Sequence, residues 1–194
     1  METYSRSFSA LDGAQAIYCS GTAEHSTRVS RICGLLAEAL GLPQLDVEAV
    51  RWIGILHDVG KLAVPVEVLR KPGRLSAAEW DVVKRHPATG SDLILAISPS
   101  LAPVAEGIRA HHERWDGSGY PDGLHRSEVP LFGRIAAIAD VFDALTHERE
   151  YRRGTFSYRD GTAFILDGAG RDFDPEIVRA FADLDHRGLI APST

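Results

Sequence analysis

Two cysteines, Cys19 and Cys33, are all that this chain of 194 residues contains. That is too few for a disulfide framework, so a reducing compartment is the expectation. No apolar stretch approaches the roughly 18 uninterrupted residues that a membrane-spanning helix requires, and the opening M-E-T-Y-S-R-S-F-S-A has no apolar segment of signal-peptide length. A soluble, cytoplasmic protein with no membrane association is therefore expected. Basic charge is scarce too: 21 Lys and Arg stand against 27 Asp and Glu, a formal net charge of −6. This argues against broad binding to a DNA or RNA polymer, which needs a basic face. It leaves room for an anionic small substrate, because two bound divalent ions would add about four positive charges to one pocket. Long period-two alternation, internal repeats and low-complexity tracts are missing as well, so no strand can be assigned.

What is present is ordinary globular composition, 44% hydrophobic and 25% charged, in a length that suits one well-buried domain. Apolar residues recur at helical spacing from Glu24 to Leu40 (Val29, Ile32, Leu35, Leu36, Ala39, Leu40), and Gly41 stops the run. Val47 to His57 repeats the pattern through Val50, Ile53 and Leu56, and Pro65 to Leu69 reads as a short helical turn. Ser76 and Glu79 make a capping box that opens a helix carrying Trp80, Val83 and His86. Leu93–Ile97, Val104–His112, Leu131–Thr146, Ser157–Leu166 and Pro175–Asp185 follow, the last with Asp174 as N-cap and Pro175 at its first position. Residues 115–130 form a long loop punctuated by Gly117, Gly119, Pro121, Gly123 and Pro130. The expected class is all-α, a single bundle of about seven to nine helices. Residues 1–20 are expected to be a lead-in, 21–188 the domain and 189–194 a tail.

Two strings carry chemistry. Ile55 to Lys61 reads I-L-H-D-V-G-K, and Ala110 to Pro121 reads A-H-H-E-R-W-D-G-S-G-Y-P. Imidazoles and carboxylates packed this closely suit a divalent ion, and a nearby lysine suits an anion bound to it. Adjacent histidines on a helix point about 100° apart, so His111 and His112 can grip one ion only from a helix end. Asp140 sits in the apolar helix R-I-A-A-I-A-D-V-F-D-A-L, where an unpaired carboxylate is costly. A metal ion, Arg134 or a backbone cap could each meet it. Taken singly, His25 or His86 reads as a cap or a surface group, and Asp140 equally as a hydrogen-bonding core group or a ligand.

In order along the chain, E-H-S-T-R-V (Glu24–Val29), H-D-V-G-K (His57–Lys61), R-K-P-G-R-L (Arg70–Leu75), H-P-A-T-G (His86–Gly90), H-H-E-R-W-D-G-S-G-Y-P, D-V-F-D-A-L-T (Asp140–Thr146), R-E-Y-R (Arg149–Arg152) and F-D-P (Phe173–Pro175) resemble the HD-GYP family. That family is the cyclic di-GMP phosphodiesterase branch of the metal-dependent HD phosphohydrolases. The resemblance implies an HD-like helical bundle and two divalent metal ions, iron or manganese by donor type. One ion would be held by His25, His57, Asp58 and Asp140; the other by Asp58, His86, His111 and His112, with Asp58 bridging. Asp58 and Lys61 would be the catalytic pair, Lys61 also contacting the substrate phosphate. Gly119, Tyr120 and Pro121 would line the substrate site, and Arg149 and Arg152 would hold the rest of the nucleotide. The implied reaction opens cyclic di-GMP to pGpG or GMP through a hydroxide bridging the two ions. Rival readings are a hydrolase of another cyclic dinucleotide or of a nucleoside phosphate, and a module that binds the dinucleotide or a protein partner through the Gly-Tyr-Pro loop without turnover. A homodimer is compatible with each.

The chain departs from the family pattern at several places. Gly21 stands where some members carry a glutamate for a third metal, and Glu24 would face about 100° away from His25 on a helix, so two ions are expected rather than three. Arg126 replaces a common glycine and Glu150 a common proline. No sensory or receiver segment precedes the motifs in this sequence, so control is expected to reside elsewhere. Plainer roles are expected for the remainder. His125, His147 and His186 read as surface groups, and Trp52 and Trp80 as core. Trp115 is divided between packing and a site wall. Arg28 reads as the partner of an acid, Asp116 as a turn brace, and Asp143 as either a support to the site or a group paired with solvent or Arg134.

Overall fold

A computed structural model describes residues 4–18, 22–147 and 156–190 of the chain. Arg149 and Arg152, and the departures at Gly21 and Glu150, lie outside the described residues. The helices in chain order are α1 (Ser5–Tyr18), α2 (Thr22–Ala39), α3 (Gln44–Leu56), the single turn α4 (Val66–Leu69), α5 (Ala77–Val83), α6 (His86–Ile97), α7 (Ala102–Ala110), α8 (Leu131–Thr146), α9 (Tyr158–Asp167) and α10 (Pro175–His186). Nine of these are seven residues or longer, and no strand forms among the described residues, in agreement with the all-α expectation.

The apolar stripes read from the sequence converge on one core. Val29 and Leu36 of α2, Val50 and Ile53 of α3, Ile108 of α7, and Ile135, Ile138 and Phe142 of α8 are buried. Each such side chain contributes about 2 kcal/mol through loss of contact with water, before conformational entropy is set against it. Helix α2 packs on both α3 and α8, while α7 packs on α3, α6 and α8. The elements that carry the H-D and H-H strings are thereby brought onto the flank of α8 that carries Asp140.

Two glycines set how closely these elements approach. A Cβ on Gly54 would lie 2.5 Å from the Ser30 backbone, so α3 crosses α2 nearly backbone to backbone. A Cβ on Gly60 would lie 1.9 Å from the His86 carbonyl oxygen, so the 3₁₀ turn Val59–Ala63 rests directly on the first turn of α6. The first contact sets His57 beside His25, and the second sets Asp58 beside His86.

The structure differs from the sequence reading at three places. The expected lead-in is the helix α1, whose Phe8 is wholly buried against Trp52, ring centroids 5.0 Å apart, and whose Tyr18 hydroxyl donates to the Val64 carbonyl. Its apolar stripe of Phe8, Leu11 and Tyr18 is short and interrupted by Gln15, and tertiary contact holds the helix in place. The helix opened by Ser76 ends at Val83, and a new one starts at His86 with Pro87 in its first turn. Proline has no N–H to continue the ladder from α5, so the break falls immediately before it. At the other end the fold runs past 188: Ile190 is buried, and the Arg31 guanidinium donates to the carbonyls of Leu189 and Ile190.

Candidate metal centre

Two of the histidines, His57 and His111, cap the C-terminal ends of helices, where the last carbonyls lack intrahelical donors, and a third, His86, opens α6 just beyond α5. His57 caps α3 and donates from Nδ1 to the Gly54 carbonyl at 3.0 Å. His111 caps α7 and donates to Ile108 at 2.6 Å, and His86 donates to Val83, the last residue of α5, at 2.8 Å. His25 on α2 directs Nδ1 to the Asp143 carboxylate at 2.6 Å. Carbonyl and carboxylate oxygens can only accept, so each Nδ1 carries the proton and each Nε2 presents a lone pair.

Those lone pairs face one another. The Nε2 atoms of His25 and His57 are 3.3 Å apart, and so are those of His86 and His111. Two neutral donors opposed at this distance repel unless a cation lies between them. The spacing matches a shared ion: two nitrogens each about 2.1 Å from one metal are separated by roughly 3.0–3.4 Å at octahedral to tetrahedral angles. His25, His57 and Asp58 offer three ligand atoms within 4.8 Å of one another, and His86, His111 and His112 offer a second such set. Asp58 joins the sets, with Oδ1 3.3 Å from His86 Nε2 and Oδ2 3.5 Å from His57 Nε2. Asp140 completes the first, its Oδ1 lying 3.2 Å from His25 Nε2 and 3.8 Å from His57 Nε2. All seven residues picked out in the sequence are thus gathered at one place. The donor set, imidazole nitrogens plus carboxylates, fits divalent transition ions.

The electrostatics favour neutral imidazoles at His111 and His112 and ionised acids at Asp58 and Asp140. Burial, reinforced by the other histidines, holds His111 well below the usual histidine range, and burial pushes His112 down to about 4. Burial would raise Asp58, but the Lys61 ammonium and the His57 ring outweigh it and hold the carboxyl well below its usual range. Asp140 is likewise held low, burial being overcome by its bond with His25 and by the neighbouring His57 ring. Lys61 Nζ lies 2.6 Å from Asp58 Oδ2 and keeps about a fifth of its side chain exposed, so it can turn toward a bound anion.

Several roles are decided only by the fold. Arg134, a rival partner for Asp140, is engaged with Asp174 and lies over the Trp115 ring. Asp143 is 1% exposed and binds His25 and Arg28, which makes it a support to the site rather than a solvated or Arg134-paired group. His147, expected at the surface, is half-buried with Nδ1 3.0 Å from Asp143. Asp116 braces its turn by accepting from the Ser118 N–H and hydroxyl, as expected. Glu113 escaped the sequence reading. It is 3% exposed and accepts from the backbone N–H groups of Asp122, Gly123 and Leu124, tying the loop after Pro121 to the end of α7. Its place directly after the paired histidines was the available signal. Tyr120 lies with its ring 4.8 Å from that of His112 and donates its backbone N–H to the His112 carbonyl. Trp80, expected in the core, is 46% exposed, on a helix that buries none of its residues.

The HD domain family pattern matches residues 14–177. Among curated relatives, the cyclic di-GMP phosphodiesterase response regulator RpfG of Xanthomonas campestris pv. campestris is 44% identical over 161 residues, covering 82% of this chain and 42% of that protein. The 3'3'-cGAMP-specific phosphodiesterase 2 of Vibrio cholerae is 40% identical over 158 residues, covering 81% of this chain and 30% of that protein. The chain spans less than half the length of the curated relatives it matches. Among solved structures, a cyclic GMP-AMP-specific phosphodiesterase of V. cholerae (V-cGAP3) superposes with a TM-score of 0.70 at 21% identity, over 95% of this chain and 49% of that one. Bd1817, an HD-GYP-type protein of Bdellovibrio bacteriovorus, gives 0.65 at 20% identity over 84% of this chain and 52% of that one. At those identities the likeness carries the fold.

Proposed function

Because this chain belongs to the HD domain family and shares the HD-GYP pattern within it, we propose that it is a metal-dependent phosphodiesterase that hydrolyses cyclic di-GMP. The observation that carries the reading is the pair of three-donor groups joined through the two oxygens of Asp58. His25, His57, Asp58 and Asp140 would hold one ion and Asp58, His86, His111 and His112 the other. Bound there, two divalent ions, iron or manganese by donor type, supply the nucleophile by acidifying water and neutralise charge on the phosphodiester.

The chain's own residues do the rest. The Nδ1 hydrogen bonds hold the imidazoles in the tautomer that binds a cation, and Asp143 fixes the orientation of His25. Lys61 turns from Asp58 to the non-bridging oxygens of the phosphate, where charge accumulates as phosphorus is attacked in line. Gly119, Tyr120 and Pro121, tied to α7 through Glu113, wall the side of the site next to His112. Arg149 and Arg152 complete the grip on the nucleotide. Breaking one 3′,5′ linkage yields linear pGpG, and a second cut yields GMP. No helix among the described residues is long and apolar enough to cross a membrane, which accords with action on a diffusible nucleotide in the cytoplasm.

A second substrate merits direct comparison, since a relative with 40% identity is named for 3'3'-cGAMP. The test is turnover of cyclic di-GMP, 3'3'-cGAMP and a nucleoside monophosphate by protein loaded with iron or manganese, beside protein stripped with chelator, with metal content measured on each. The expected outcome is metal-dependent conversion with the highest kcat/KM for cyclic di-GMP. Preference for 3'3'-cGAMP corrects the substrate and leaves the reaction standing. Tight binding of a dinucleotide without metal-dependent turnover overturns the enzyme reading.

A further inference from the structure

Helix α5 places no residue in the core, and its Trp80 is left 46% exposed. Isolated exposed apolar side chains are ordinary, and Ile17 at 86% and Leu45 at 69% are more exposed still. Trp80 differs in what it adjoins. The His111 and His112 rings lie 4.0 Å apart, His112 and Tyr120 4.8 Å, and Tyr120 and Trp80 6.4 Å, so four rings run unbroken from the buried donors to the surface. The last contact is edge-on, at 74°. At that angle the two rings are not stacked face to face, and the indole keeps solvent-facing surface.

The helix beneath is braced for a fixed position despite its shortness. The Ser76–Glu79 capping box closes its first turn, and Lys71 reaches Glu79 at 2.7 Å. Trp80 therefore presents a flat apolar face at a set height above the site. A nucleotide has matching ends, an anionic phosphate and a planar base joined by a sugar. With the phosphate at the donor cluster, the base leaves along the aromatic series.

We propose that Trp80 is a substrate-binding residue whose exposed indole face stacks on a purine base of the cyclic dinucleotide, with Tyr120 lining the base's edge. This rests on the reading of the site as a nucleotide phosphodiesterase and adds the group that holds the base. Stacking on an aromatic ring tolerates any base, so Trp80 sets affinity for dinucleotides as a class and does not separate guanine from adenine.

The experiment compares wild type, Trp80→Ala and Trp80→Phe, metal-loaded, for steady-state turnover and equilibrium binding of cyclic di-GMP and 3'3'-cGAMP. Metal content, thermal midpoint and tryptophan emission are recorded for each. The expected result is that Trp80→Ala raises KM and Kd for both ligands by between about 5-fold and about 150-fold. kcat should stay within about twofold, as for loss of uniform binding. Trp80→Phe restores most of the affinity, metal content is unchanged, and ligand quenching of tryptophan emission is lost with the indole. If wild type turns over the ligand and Trp80→Ala has the same KM, stacking is wrong and the enzyme reading survives. A variant that loses metal or kcat instead shows a structural role and also overturns it. Binding without turnover, weakened by Trp80→Ala, upholds stacking and sinks hydrolysis. Failure of wild type to bind or cleave either dinucleotide sinks both.

Discussion

The donor cluster and the rim above it meet at His112 and Tyr120, yet they are built by opposite means. In the cluster, polar groups are held deep in the bundle, the imidazoles of His25, His57, His86 and His111 each oriented by a carbonyl or carboxylate behind it. At the rim, apolar rings and a glycine-rich loop face outward, held by a capping box, by Glu113 and by the Arg109–Asp122 pair. The cluster turns imidazole nitrogens and carboxylate oxygens toward one another, which is how a cation site is made in a medium hostile to charge. The rim offers shape and flat surface without strong charge, which suits discrimination among ligands. Changes inside should therefore abolish metal binding, and changes outside should alter affinity or loop stability while metal stays.

The largest break in that division is Asp58→Ala, which removes the group shared by both donor sets. Metal analysis should show loss of both ions, and turnover should fall by at least about a thousandfold, the scale seen when one member of a unit is deleted. Retention of two ions with full activity would falsify the site arrangement. Asp143→Ala is a gentler version, because it leaves every donor in place and removes the brace on His25 together with the partner of Arg28 and His147. Such outer groups are worth about 10- to 100-fold in metal affinity or activity, and competition with a calibrated chelator measures it. An unchanged affinity would show that α2 alone aims the ring.

On the rim, Glu113→Gln exchanges a carboxylate that accepts three backbone N–H groups for an amide that presents a donor toward them. The expected cost is about 2 kcal/mol, read as a fall in thermal midpoint of about 6 °C with metal content intact. Loss of metal in this variant would erase the boundary drawn between the two regions. The smallest effect is expected at Arg126, the only non-glycine residue with positive φ among the described residues, at +52°. This is where the family commonly has glycine. Arg126→Gly relieves the left-handed penalty but loosens the unfolded chain, for a net gain of about 0.5 kcal/mol in denaturant unfolding. A loss of stability there would mean that the arginine side chain earns its place by contact.

Much of this could be read from residue order. Helices α2, α3 and α8 follow from their apolar spacing, and the H-H-E…G-Y-P string is specific, whereas His25, His86 and Asp140 point to a site only when the motifs are taken together in order. The reading faltered where no local pattern existed. Helix α1 has only a short stripe, interrupted by Gln15, and is held by Phe8 and Tyr18 reaching distant partners. Trp80 has helical spacing that suggests a core position, but α5 buries none of its residues. Asp143 and His147 are four residues apart on or just beyond α8, and nothing in that spacing reveals that Asp143 holds His25 on α2 while His147 packs beside it.

The sequence by itself determined the helical class, the residue types that can hold cations and the helix ends where histidines would sit, because periodicity, capping and donor chemistry are local properties. Only the tertiary structure decided how closely the lone pairs confront each other, which groups brace them from behind and which aromatic ring is left facing water. Those outcomes depend on backbone approaches such as Gly54 on Ser30 and Gly60 on His86. A close approach between segments far apart in the chain is set by packing of the whole core, and no short stretch of sequence contains it.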